Sequence, residues 1–147
     1  MSDYFDDAIV TELDTDGDGA VDTITHDLDG DGNPEITEVD HDGDGVMDSE
    51  YQDTDSDGLT DFSTHDTDGD GMVDTTLYDG SFDGVADEAE IDVDADGIPD
   101  VTLRDLDGDG FADRAYLPAD GESGEWVTDE GVSVEGEGIA IDPYARG

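Results

Sequence analysis

Residues 14–117 are one unit of thirteen residues written eight times without insertion or deletion, starting at Asp14, Asp27, Asp40, Asp53, Asp66, Asp79, Asp92 and Asp105. Copies such as DTDGDGAVDTITH, DHDGDGVMDSEYQ and DTDGDGMVDTTLY reduce to D-x-D-G-D-G-x-x-D-x-x-x-x. A fixed period means one supersecondary unit stacked on its own copies, so the structure of one unit constrains all the others. The first six positions are turn chemistry, Asp and Gly in alternation. The remainder is short and β-prone, as in DTITH, EITEV, DFSTH and DVTLR. These tails are too short, and too closely flanked by glycine, for helices. Pro34 and Pro99, both at the eighth position, also oppose a helix there.

The expected fold is therefore all-β, an array of eight loop-plus-strand units. Two arrangements suit it. Successive strands can fall in two facing sheets, a flattened β-roll or solenoid with loops along both edges, or they can pair as neighbours in one antiparallel meander. Apolar residues occur on both alternating sets, Met47 and Tyr51 on one and Val46 on the other. A lone sheet with two wet faces would expose too many of them, which favours the roll. The seventh position is apolar in Ala20, Val46, Leu59, Met72, Val85, Ile98 and Phe111, with Asn33 the exception. It is the expected ridge of a thin core.

Acids at alternate positions, then a glycine, then a further acid, are how a short loop wraps oxygens around a hard cation. The first-position candidates are the eight aspartates that open the units. The third-position candidates are Asp16, Asp29, Asp42, Asp55, Asp68, Ser81, Asp94 and Asp107. At the fifth stand Asp18, Asp31, Asp44, Asp57, Asp70, Asp83, Asp96 and Asp109, and at the ninth Asp22, Glu35, Asp48, Asp61, Asp74, Asp87, Asp100 and Asp113. Alternate carboxylates face one point when the chain curls. A glycine such as Gly110 permits the bend, and the seventh-position carbonyl can turn inward as a neutral ligand. Ca²⁺ is the expected cofactor, about one ion per unit; Mg²⁺ prefers a smaller, octahedral, water-rich site.

Charge points the same way. The chain carries 47 acids against three bases, Arg104, Arg114 and Arg146, for a formal charge of −44. Self-repulsion on that scale, beside a meagre apolar content, should keep a bare chain from collapsing. Cations must then be counted as part of the fold. Eight divalent ions bring sixteen positive charges and leave −28 of the −44. Such a surface argues against nucleic acid and anionic membrane faces, and leaves basic or calcium-bridged protein partners. No cysteine is present, so disulfides and thiolate sites are excluded. No apolar run is long enough to span a bilayer.

The loops resemble those of calcium-binding Asp-rich repeat proteins: EF-hand and dockerin loops, thrombospondin type 3 repeats, and the D-x-D-G-D-G-x-x-D loops of FG-GAP propellers. Period thirteen is closest to the thrombospondin type 3 repeats, and the four-residue strand-like tail is closer to FG-GAP. The resemblance implies Ca²⁺ binding across residues 14–117 but carries over no cellular role. There are departures. The acid of an EF-hand at position twelve is replaced by Thr25, Tyr51, Thr64, Leu77, Leu103 and Tyr116, with only Glu38 and Glu90 acidic. Affinity is then expected near roughly 10⁻⁴–10⁻³ M, the range of extracellular modules. The fourth-position glycine is Ser56 in the fourth unit and Ala95 in the seventh, both small. The sixth unit, DGSFDGVADEAEI, has Ser81 for the third acid and Phe82 in the loop, and is expected to bind most weakly.

Residues 1–13 read as an N-terminal cap and 118–147 as a C-terminal cap or tail, with Trp126 and Tyr144 packing there. His26, His41 and His65 fall in variable slots and read as strand or loop surface. Ser63 precedes His65 by two residues, but no third catalytic member accompanies them, so no enzyme is expected. The functional expectation is a structural spacer or adhesive module folded by Ca²⁺. Its alternatives are an intracellular calcium buffer or sensor, and an acidic protein adapted to salt. Calcium-rich extracellular or cell-envelope surroundings are favoured, although MSDYFDDAIVTEL lacks a classical signal's basic and apolar regions, which keeps the cytoplasm open.

Overall fold

A computed structural model describes residues 8–119 and 122–128. The β-prone tails form strands and the Asp-Gly segments form the turns between them. The strands are β1 (Ile9–Leu13), β2 (Thr23–Asp27), β3 (Ile36–Val39), β4 (Ser49–Gln52), β5 (Phe62–His65), β6 (Thr75–Tyr78), β7 (Glu88–Ile91), β8 (Val101–Arg104), β9 (Arg114–Ala119) and β10 (Glu122–Thr128). All ten lie in one sheet in chain order, every pairing antiparallel. The all-β loop-and-strand array is thus realised as the antiparallel meander, and the two facing sheets that the apolar pattern favoured are replaced by a single sheet.

The register explains why that pattern misleads. The tenth position of one unit pairs with the thirteenth of the next, and the eleventh with the twelfth, as Ile36 with Gln52 and Thr37 with Tyr51. Residues directly opposite share a face of the sheet. Each unit therefore swaps which alternating set it presents to a given face. One face collects Tyr51, Leu77 and Leu103 from the twelfth position of odd units, and Ser63 and Ala89 from the eleventh position of even units. Apolar residues on both sets are what a single one-sided sheet requires when every unit flips.

That face holds the core. Leu77, Ala89 and Leu103 are buried, with Ala86, Ile91, Val101, Ala112 and Ala115 packed around them. Buried Ser49, Ser63, His65 and Thr75 share the face. The opposite face carries half-buried Glu38, Glu50, Thr64, Thr76, Glu90 and Thr102. The seventh-position column is not the ridge it was expected to be: Val46, Leu59, Met72, Ile98 and Phe111 are all exposed. It lies in the loop, before the strand begins, so it sits at the sheet edge rather than over the face. His65 also departs from expectation. It is buried, with Nδ1 2.9 Å from the Ser49 hydroxyl and Nε2 2.9 Å from that of Ser63. His26 and His41 stay nearer the surface, His26 beside Glu38 at 2.9 Å and His41 bonded to Ser49 at 3.1 Å.

Strand β1 closes one end of the sheet, with all five residues exposed. Of the expected C-terminal cap, 122–128 form β10, with Trp126 opposite Tyr116 in register, while Tyr144 lies outside the described residues. No helix among the described residues is long and apolar enough to cross a membrane.

Replacing Leu103, 2% exposed, with alanine should cost about 2–5 kcal/mol. The same change at Ile98, 67% exposed, should stay within about 0.5 kcal/mol. Denaturant unfolding at saturating calcium checks both. Comparable losses would return the core to the seventh column.

Candidate metal centres

The eight Asp-Gly loops connect β1 through β9, and are numbered here by their units. Each closes through its backbone: the ninth-position N–H donates to the carbonyl just before the loop, as Asp22 to Leu13 at 2.9 Å and Asp61 to Gln52 at 2.8 Å. Within the loop the carboxylates are held by the loop's own amides. In all eight, the sixth-position glycine N–H donates to Oδ2 of the first aspartate at 2.6–3.0 Å. In all eight, the seventh-position N–H donates to Oδ1 of the fifth-position aspartate at 2.7–3.0 Å. The ninth-position acid reaches back over the loop, accepting from the second-position N–H at 2.6 Å in Asp22, Glu35 and Asp61.

These bonds aim acid oxygens at one another. Asp27, Asp29, Asp31 and Glu35 bring one oxygen each within 4.8 Å of all the others. So do Asp14, Asp16 and Asp18; Asp40, Asp42 and Asp48; Asp53, Asp55 and Asp57; and Asp66, Asp68 and Asp70; two more such groups lie among the described residues. The first-position aspartates other than Asp14 are buried.

The electrostatics follow from this geometry. Burial alone would raise the Asp105 pKa, but the N–H groups of Gly110, Gly108, Asp107 and Asp109 outweigh it and hold that carboxyl below its ordinary value. Asp22 is lowered chiefly by the Thr15 hydroxyl, then by the Thr15 N–H. Three third-position acids shift the other way. Asp94 is raised first by the charge of Asp96, and Asp107 by that of Asp109. Asp55 is raised by desolvation, then by Asp57, Asp61 and Asp53. In loop 8 the amides thus stabilise the charge of Asp105, while Asp107 beside it is crowded by its neighbours.

Loop 4 supplies a direct test of fit. Asp61 is 6% exposed, and its Oδ2 is taken by the N–H and hydroxyl of Thr54. Its Oδ1 is buried with no hydrogen-bond partner, alone in this among the described side chains. An unpaired buried carboxylate oxygen is costly unless a cation meets it. Asp53, Asp55, Asp57 and Asp61 are the residues that would hold that ion, with hard oxygen donors throughout.

The fourth position is where the sequence departs most from its own rule. Its backbone is left-handed, with φ near +59° for Phe82, +61° for Ser56 and +56° for Ala95. A residue with a side chain pays about 1–2 kcal/mol for that conformation. Loop 6 is further altered, because the Ser81 hydroxyl turns to Asp79 Oδ1 at 3.2 Å. Unread in the sequence is the second-position threonine: Thr15 and Thr67 each donate a hydroxyl at 2.7 Å to the ninth acid of their loops, and Thr54 does likewise. The signal was present as Thr followed by Asp seven residues later.

The sequence matches no family model, and neither the curated proteins nor the solved structures compared with it gave a match.

Ser81→Asp should raise cation occupancy of loop 6, and Phe82→Gly should stabilise the fold by roughly 1 kcal/mol. Metal stoichiometry and thermal unfolding read the two separately; no change in either would contradict the account of this loop. The pH dependence has a definite sign. Asp55, Asp94 and Asp107, raised when folded, weaken the metal-free array at neutral pH, and that penalty is relieved as pH falls through their raised values. Asp22 and Asp105, lowered, contribute stability above the ordinary carboxylate pKa and lose it as pH falls through their lowered values. Protons compete with cations for the raised group. Calcium titrations from about pH 7 to about pH 4 should therefore show affinity falling from above the ordinary aspartate range of about 3.9. Affinity that is flat until below that range would contradict the crowding.

Proposed function

We propose that this chain is a calcium-binding repeat protein in which the ions staple a β-array used as a structural spacer or adhesive module. Two observations carry the reading: within each of loops 1 to 5 acids converge to within 4.8 Å of one another, and in loop 4 the buried Asp61 Oδ1 is left without a hydrogen-bond partner. Calcium is favoured over magnesium because the donors are numerous carboxylate oxygens on a glycine-rich backbone able to adapt. Folding free energy is then largely metal-binding free energy. The missing position-twelve glutamate supports weak sites of roughly 10⁻⁴–10⁻³ M, suited to extracellular or cell-envelope surroundings. That position is spent on core side chains in Leu77 and Leu103.

With eight ions the array still carries −28 of its formal −44, so protein partners would be basic or bridged by calcium. Isothermal calorimetry tests the reading. Seven sites near the millimolar range and a weaker eighth are expected, with magnesium a poor substitute. Sites of micromolar affinity would favour a buffer, and no heat at millimolar calcium would refute metal binding altogether.

A further inference from the structure

Because each loop reverses the chain, odd loops stand along one edge of the sheet and even loops along the other. Neighbours on an edge are thus loops n and n+2. Strands are about 4.8 Å apart, so these neighbours sit about 10 Å from each other, closer than loops separated by the length of a strand. They are joined directly. The N–H of the first acid in one loop donates to the carbonyl of the ninth acid two loops earlier: Asp40 to Asp22 at 2.8 Å, Asp66 to Asp48 at 2.7 Å and Asp92 to Asp74 at 2.8 Å on one edge. Asp53 to Glu35, Asp79 to Asp61 and Asp105 to Asp87, at 2.8–2.9 Å, repeat this on the other.

Both ends of every such bond belong to candidate cation ligands. Side chains add to the link. Ser56 Oγ lies 3.5 Å from Glu35 Oε1, and a methyl group at Gly84 would meet the Leu59 side chain at 3.2 Å. Asp42 and Asp83 lie against Gly69 and Gly108 in the same way, at 3.8 and 3.7 Å.

We infer that the cation sites form two separately coupled rows, one along each edge, in which filling loop n favours filling loop n+2 more than loop n+1. This rests on the calcium reading of the loops. A filled loop fixes its ninth residue, and that residue's carbonyl is the acceptor for the first amide of the next loop in the row. Repulsion between neighbouring ions opposes this, but at about 10 Å salt near 0.15 M screens it strongly. Ordering of the shared hydrogen bond therefore decides the sign.

The sixth-position glycine amides, each bonded to the first acid of its loop, are the reporters. In the full chain carrying Asp68→Asn and Asp70→Asn in loop 5, calcium is titrated and amide shifts are followed by NMR. Gly45 and Gly97, in loops 3 and 7, should need roughly twofold or more calcium for half-response. Gly58 and Gly84, in loops 4 and 6, should move less. A second variant, Asp55→Asn with Asp57→Asn in loop 4, should switch rows, shifting Gly32 and Gly84 more than Gly45 and Gly71. Equal shifts in both rows, larger shifts in the opposite row, or no shift in any neighbour would overturn the coupling while leaving calcium binding intact. Failure of the unaltered chain's glycines to respond to calcium would instead remove the metal reading, and this inference with it.

Discussion

The first aspartate of each loop is the point on which the structure turns. Its carboxylate accepts the sixth-position N–H in all eight loops and is buried in all but Asp14. Hydrogen bonds to a charged group contribute about 1.5–3 kcal/mol each, roughly twice a neutral one. They force the backbone to curl tightly, which demands a left-handed residue at the fourth position and glycine at the sixth. The curl then delivers the ninth residue back beside the start of the loop, where its N–H and carbonyl join the preceding and following units. A strand of four residues has little else to fix its register.

The same curl concentrates charge. Pulling a third and a fifth carboxylate toward the first raises the proton affinity of Asp94 and Asp107 through their neighbours' charges. Against this stands a core of Leu77, Ala89 and Leu103 with a few partly buried neighbours. So small an apolar cluster does not balance repulsion repeated over eight loops; on the calcium reading, a divalent ion in each loop would convert that repulsion into attraction. On the calcium reading the array needs little core because its stability is distributed among the loops.

Much of this was legible in the sequence. The thirteen-residue frame sets the loop and strand boundaries, and the first-, third- and fifth-position acids converge in loops 1, 2, 4 and 5, with the ninth joining them in loop 2. The strand arrangement was harder to read, for a physical reason. A unit of odd length paired tenth-to-thirteenth flips its faces at each step, so the buried set is visible only across two units. Leu77 and Leu103 at the twelfth position and Ala89 at the eleventh belong to one face, and a single-unit reading separates them. The seventh column drew attention because it is uniformly apolar, yet it belongs to the loop. His65 became a buried link because Ser49 stands opposite it on β4 while Ser63 precedes it by two residues on β5, and only the register brings Ser49 there.

Far-ultraviolet circular dichroism of the full chain, first in EDTA and then with millimolar calcium, addresses the central claim most directly. A largely disordered spectrum in chelator that converts to β-structure on adding calcium is the predicted result. Full β content already present in EDTA at low salt would contradict the claim that cations fold the array.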